Sequence, residues 1–102
     1  MKLEHISQEK LQQLIKEVFD KHLRVENYRL FFFGSRVKGN NSSMSDIDLG
    51  IEGQKKLSPL VKLTIEEELQ NLPILYKIDL VDFGNVSGDF KKKVLENVEF
   101  IN

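Results

Sequence analysis

One stretch limits the choice of fold more than any other: Phe33 to Leu49, FGSRVKGNNSSMSDIDL, where an apolar run stops at Gly34-Ser35 and two aspartates follow one residue apart at Asp46 and Asp48. On a β-strand successive side chains point to opposite faces, so Asp46 and Asp48 share a face with roughly 6.5–7 Å between their Cα atoms, while Ile47, Leu49 and Ile51 take the other. This strand therefore has one apolar face and one anionic face. Two carboxylates that close repel by about 2 kcal/mol at an effective dielectric of about 20, and a fold keeps such a pair where something positive sits between them. Hard oxygen ligands at this spacing suit Mg²⁺, which binds through one or two carboxylates plus substrate phosphates. Just upstream, Gly34 lets backbone approach closely, Ser35 offers a hydroxyl and an amide, and a helix opening there would aim free N–H groups at an anion. Arg36 and Lys38 add mobile positive charge. Taken singly, D-x-D is most often the solvated face of an edge strand and Gly-Ser most often a turn. In the order strand, Gly-Ser, ten residues, Asp-x-Asp, the two outline a site.

The pattern Gly34-Ser35-x-x-x-Gly39 followed by Ser45-Asp46-Ile47-Asp48-Leu49 resembles the nucleotidyltransferase signature of the DNA polymerase beta superfamily, and specifically its smallest members, the minimal nucleotidyltransferases. The likeness extends over nearly the whole chain. It implies an α/β (α+β) fold, a mixed β-sheet flanked by helices, in a single small domain over residues 1–102. It also implies a third aspartate on a neighbouring strand, matched by Asp79 in the run Tyr76-Lys77-Ile78-Asp79-Leu80-Val81-Asp82. By this resemblance Asp46, Asp48 and Asp79 are the catalytic carboxylates and hold up to two Mg²⁺ ions, with Asp79 also placed to take the proton of an attacking hydroxyl. Gly34, Ser35, Arg36 and Lys38 would bind the phosphates of the nucleotide. The implied reaction moves a nucleoside monophosphate, AMP from ATP, onto a hydroxyl. The implied acceptor is a tyrosine of a helical HEPN-type toxin encoded nearby, which makes the chain an antitoxin within a hetero-oligomer. Two other functions fit the same residues: a non-catalytic nucleotide-binding module that masks a partner, and a nucleotidyltransferase acting on a small molecule such as an aminoglycoside.

Composition narrows the classes. A chain of 102 residues can build one core but not a second lobe to grip an acceptor. Fifteen basic against sixteen acidic residues leave a formal charge of −1, so there is no broad basic field for nucleic acid, and a templated polymerase is disfavoured. The absence of cysteine removes disulfides and zinc-thiolate sites and fits a reducing, cytoplasmic setting. No run approaches the ~18 apolar residues of a membrane span, and the first residues lack the apolar core of a signal peptide.

Along the chain, Leu11, Leu14, Ile15, Val18 and Phe19 recur at helical spacing after Ser7, which predicts a capped amphipathic helix from 8 to about 22. His5 and His22 at its ends read as exposed polar positions outside the site. Tyr28 to Phe33 reads as a central strand covered on both faces, its aromatics in the core. Residues 40 to 45 read as a polar loop; by the resemblance this loop joins the phosphate turn to the metal strand, with Ser45 placed to cap or orient the first aspartate. The second strand runs from Asp46 to Glu52 and stops at Gly53, with Glu52 read as solvated. Ser58-Pro59 starts a helix that lasts to about Leu72, its Glu66-Glu67-Glu68 run solvated and Pro73 closing it. The strand-helix-strand passage predicts a crossover between parallel neighbours.

Ile74 to Phe83 is the next strand, and within it Asp79, flanked by Ile78 and Leu80, reads as the buried carboxylate that needs a metal or a partner. Asp82, at the strand end, stays open as an alternative. Ser87 caps a last helix to about Glu96 with Phe90, Val94 and Leu95 inward and Lys91-Lys92-Lys93 solvated, and residues 98–101 either extend that helix or form a short terminal strand, the strand being preferred.

Overall fold

Serine caps open the three longer helices of the computed structural model, which describes residues 1–39 and 45–102. Ser7 Oγ accepts from the Lys10 N–H at 3.1 Å, Ser58 Oγ from Val61 at 3.3 Å and Ser87 Oγ from Phe90 at 3.2 Å. Each satisfies a backbone donor that has no acceptor inside its helix, a contribution of about 1 kcal/mol. The elements in chain order are α1 (Gln8–Asp20), β1 (Tyr28–Phe33), α2 (Ser35–Lys38), β2 (Ile47–Gly53), α3 (Pro59–Gln70), β3 (Ile78–Asp82), α4 (Gly88–Val94) and β4 (Glu99–Phe100). Short 3-10 turns lie at Val25–Asn27 and Phe83–Asn85.

The strands form one mixed sheet in the order β3-β2-β1-β4. β1 is antiparallel to both β2 and β4, whereas β2 and β3 are parallel and joined through α3. That crossover is the expected solution, because parallel neighbours cannot be joined by a tight turn.

The alternation of side chains along each strand separates two cores. On one face Leu30 and Phe32 of β1, Ile47, Leu49 and Ile51 of β2 and Ile78 and Leu80 of β3 pack under Leu11, Ile15, Val18 and Phe19 of α1 and Ile65 and Leu69 of α3. On the other face Phe31, Phe33 and Phe83 form a smaller cluster, their rings meeting edge to face with centroids 5.1 Å (Phe31–Phe83) and 5.2 Å (Phe33–Phe83) apart. Gly50 makes room for it: a Cβ there would lie 2.4 Å from the Phe31 ring and 2.8 Å from Phe83. The aromatic run of β1 is thus buried on both faces, as its composition predicts.

Several local expectations are corrected. α1 stops at Asp20, short of His22, which is half-buried and pairs its Nε2 with the Glu68 carboxylate of α3. Lys21 reaches the same carboxylate at 3.5 Å, so Glu68 ties two helices rather than lying free in solvent. Its pKa is accordingly held below the ordinary glutamate value, first by the His22 hydrogen bond. Glu52 and Lys91, both read as solvated, form an ion pair across the second face. β3 and α4 are shorter than their patterns suggest, β3 starting at Ile78 and α4 ending at Val94. Phe90 stacks on Phe83 yet keeps 46% of its surface exposed, so it is not an inward residue. Of the loop at 40 to 45, residues 40–44 lie outside the described residues.

The two candidate aspartates of β3 exchange the roles that burial was expected to give them. Asp79 is exposed, while Asp82 is buried at 5% exposure. Asp82 Oδ2 accepts from the Leu57 N–H at 2.7 Å and Oδ1 from the Gly84 N–H at 2.9 Å, which pins the segment before α3 to the end of β3. A buried donor that loses its acceptor costs about 1–3 kcal/mol. Asp82→Ala should therefore lower the unfolding free energy in urea by about that amount, whereas Asp79→Ala should change it by no more than about 0.5 kcal/mol, as for an exposed position. Equal losses for the two variants would contradict these roles.

Candidate active site

Strand register brings the acidic residues together. The antiparallel β1–β2 pairing sets Phe33 opposite Asp48, and the parallel β2–β3 pairing sets Asp48 beside Asp79. Paired strands lie about 4.8 Å apart, so the carboxylates of Asp48 and Asp79 rise as neighbours from the sheet face that carries Phe31 and Phe33. Asp46 stands one residue before β2 and is exposed. The start of β2 is held to the third strand's approach by the Ile47 N–H, which donates to the Lys77 carbonyl at 2.8 Å.

Gly34 joins this acidic face to the turn. Its backbone has φ +81° and ψ −157°, a conformation that residues with a Cβ rarely adopt. A Cβ at Gly34 would also lie 2.1 Å from Asp48 Oδ2. The Asp48 carboxylate therefore rests directly against the turn's backbone, and only glycine leaves space for it. α2 follows as a single turn and ends at Gly39, whose φ of +83° is left-handed and whose N–H donates to the Ser35 carbonyl at 2.9 Å. The N–H groups that open such a turn have no acceptor within it. Ser35 is half-buried beside them, and Lys38 is exposed with no ion pair among the described residues.

Arg36 is placed otherwise than the reading of it as mobile charge requires. It is 3% exposed. Its Nε and Nη2 both donate to the Ser45 carbonyl, at 2.9 and 2.7 Å, and its guanidinium lies 4.6 Å from the centre of the Tyr76 ring. Tyr76 in turn accepts the Glu4 N–H at 2.8 Å on its hydroxyl. A planar fork held this way is fixed by geometry as well as by charge. Arg36 braces the residue that precedes Asp46, so it shapes the site from beneath. Nothing in the spacing of the sequence distinguishes this role from that of a phosphate ligand.

The electrostatics record how closely the acids stand. Asp48 is harder to ionise than an ordinary aspartate, first because it is partly buried, then because Asp79 and Asp46 add negative charge nearby. Among the described residues no group of three or more His, Cys, Asp or Glu side chains is gathered so that it could hold a metal ion. What the chain presents is an oxygen donor set with open positions, which suits Mg²⁺, since that ion keeps waters and takes phosphate oxygens beside one or two carboxylates. Burial first, and crowding by the other acids after it, raise the Asp48 pKa, and the crowding is the part that a divalent cation would relieve.

That crowding has a pH signature. Below the ordinary value of 3.8 Asp48 is neutral both folded and unfolded, and the fold carries no penalty. As pH rises through the raised folded value the carboxylate must ionise against its neighbours, and stability is lost. Asp48→Asn should thus raise the urea midpoint at pH 7 in metal-free buffer, and this gain should shrink as pH falls towards 3.8. A gain of the same size at every pH would mean that the amide acts by some route other than charge.

Other proteins share this fold and part of this sequence. Over 68 residues the chain is 34% identical to the probable protein adenylyltransferase MntA of Haemophilus influenzae, a match covering 67% of this chain and 60% of that protein's length. Among solved structures, a toxin–antitoxin crystal structure with AMP-PNP superposes with a TM-score of 0.71 at 18% identity, over 89% of this chain and 72% of that one. The structure of the tri-AMPylated Shewanella oneidensis HEPN toxin in complex with its MNT antitoxin gives a TM-score of 0.57 at 21% identity, over 89% and 71%. At such identities the structural likeness speaks to the fold. The family model for polymerase beta nucleotidyltransferases matches residues 13–102, and the chain belongs to that family.

Proposed function

We propose that the chain is a Mg²⁺-dependent protein adenylyltransferase that moves AMP from ATP onto a hydroxyl, a tyrosine of a helical HEPN-type partner, and so acts as the antitoxin of a pair. Residues 1–102 are read as one minimal catalytic domain working in the cytoplasm, a setting that the lack of cysteine fits. The observation that carries the reading is the meeting of Asp48 with Asp79 and Asp46 directly against the Gly34 backbone, which supports a metal site beside a phosphate turn. The name of the Haemophilus relative, the AMP-PNP in one structural neighbour and the AMPylated HEPN toxin in another support the donor and the acceptor.

Asp46, Asp48 and Asp79 would hold up to two Mg²⁺ ions, whose chemistry when bound is to lower the pKa of an acceptor hydroxyl and to neutralise phosphate charge. The Ser35 hydroxyl and the N–H groups of the turn donate to the phosphates next to the bond that breaks. Lys38 offsets the charge of the leaving group. Asp79, exposed at the edge of the sheet, accepts the proton of the acceptor hydroxyl. The hydroxyl oxygen forms a bond to the α-phosphorus, the bond from that phosphorus to the bridging oxygen breaks, and pyrophosphate leaves with the electron pair. Binding of the partner supplies the positioning of the acceptor hydroxyl.

Labelled ATP with Mg²⁺, incubated with the chain and its genomic neighbour, should place label on a tyrosine of the neighbour. Asp46→Asn, Asp48→Asn and Asp79→Asn should each lower transfer by about 10²-fold or more while the variants stay folded. Binding of ATP without transfer would support a masking module instead, and label on an added aminoglycoside a small-molecule enzyme. Wild-type turnover in any of the three variants would remove the metal-site assignment.

A further inference from the structure

A cleft of about 320 Å³ opens beside the Gly34 turn, between the end of β1 and α4. Its volume lies at the low end of the range for small-molecule sites. Phe33 and Phe90 give it aromatic walls, Lys38 and Lys93 approach it from α2 and α4, and Asn97 adds an amide. Phe90, Lys93 and Asn97 follow at the helical intervals of three and four, so α4 and the turn after it present them on one side. Phe90 is unusual for so large an apolar residue. Its ring stacks on Phe83, with centroids 6.0 Å apart and planes at 13°, 46% of its surface stays in solvent, and it lines the cleft. Both lysines are exposed, and neither has an ion-pair partner among the described residues.

A flat aromatic surface, an amide that can both donate and accept, and two free cations next to a phosphate turn together match the parts of a nucleotide. We propose that this cleft is the nucleoside subsite of the donor: the base stacks on Phe90, its polar edge meets the Asn97 amide, and Lys38 and Lys93 face the phosphates at the Gly34 end. An adenine edge pairs well with an Asn amide, which offers it one donor and one acceptor. The proposal rests on the nucleotidyl-transfer reading and adds to it a residue group on α4.

Calorimetric titration of the chain with Mg²⁺-ATP and, separately, with Mg²⁺-tripolyphosphate tests the subsite, because the second probe has the phosphates without the base. Phe90→Leu keeps an apolar cover on Phe83 but removes the π-face, and it should weaken ATP about tenfold while leaving tripolyphosphate within about twofold. Phe90→Tyr should bind ATP like the wild type. Asn97→Ala, at an exposed position, should weaken ATP alone. If the wild type binds ATP no tighter than tripolyphosphate, or if Phe90→Leu leaves ATP unchanged and instead weakens the partner protein, the subsite is wrong while nucleotide transfer can still stand. A wild type that binds neither probe overturns both.

Discussion

The Asp48 carboxylate lies against the backbone of Gly34, and the two halves of the site are one because of it. Had any other residue stood at 34, its Cβ would have occupied the space of Asp48 Oδ2, and the turn or the strand would have had to move. The contact follows from register. β1 ends at Phe33, which pairs with Asp48, so the chain leaves the strand at the level where the next strand presents its acid. Asp79 reaches the same level by the parallel pairing on β2's other side. A slip of one residue in either pairing would send the acids into the helix-covered core, where the desolvation of a charge is far costlier.

Stability and function are divided between the two faces of the sheet. The face under α1 and α3 carries most of the apolar packing, and its helices are tied to each other through His22, Lys21 and Glu68. The opposite face holds a small aromatic cluster at one end and uncompensated negative charge at the other, so it stabilises the fold less and repels itself more. Such a site persists because the other face is strong enough to hold it, and because a cation and phosphates would remove the repulsion on binding. Arg36 shows the same economy, since among the described residues it is the one buried cation, and it is fixed to the Ser45 carbonyl and the Tyr76 ring and orders the approach to Asp46.

Much of this was legible in the sequence. Serine caps, the strand-helix-strand crossover and the aromatic central strand follow from local chemistry and periodicity, and all three stand in the structure. The pairing of Asp48 with Asp79 rather than Asp82 was reached by resemblance, and the physical argument offered beside it, that Asp79 would be buried, had the burial inverted. Parity along a five-residue strand separates 79 from 82 but cannot say which face is wet; that depends on Leu57 and Gly84 bringing two N–H groups to Asp82 from outside the strand. Arg36 failed for a similar reason. Its acceptor, the Ser45 carbonyl, is backbone, and no residue type announces a carbonyl. Phe90 was read inward from spacing alone, although α4 is only seven residues long and lies over a cluster too small to cover it.

The most direct test of the joined site is the affinity of a non-hydrolysable ATP analogue for Gly34→Ala, with and without Mg²⁺, set against the wild type. One added methyl group at a left-handed φ, aimed at the Asp48 carboxylate, should abolish the Mg²⁺-dependent part of binding and weaken the remainder, with the helix-covered core still folded by circular dichroism. Binding by Gly34→Ala equal to that of the wild type, in its metal dependence as well as its strength, would mean that the acids and the turn do not act together.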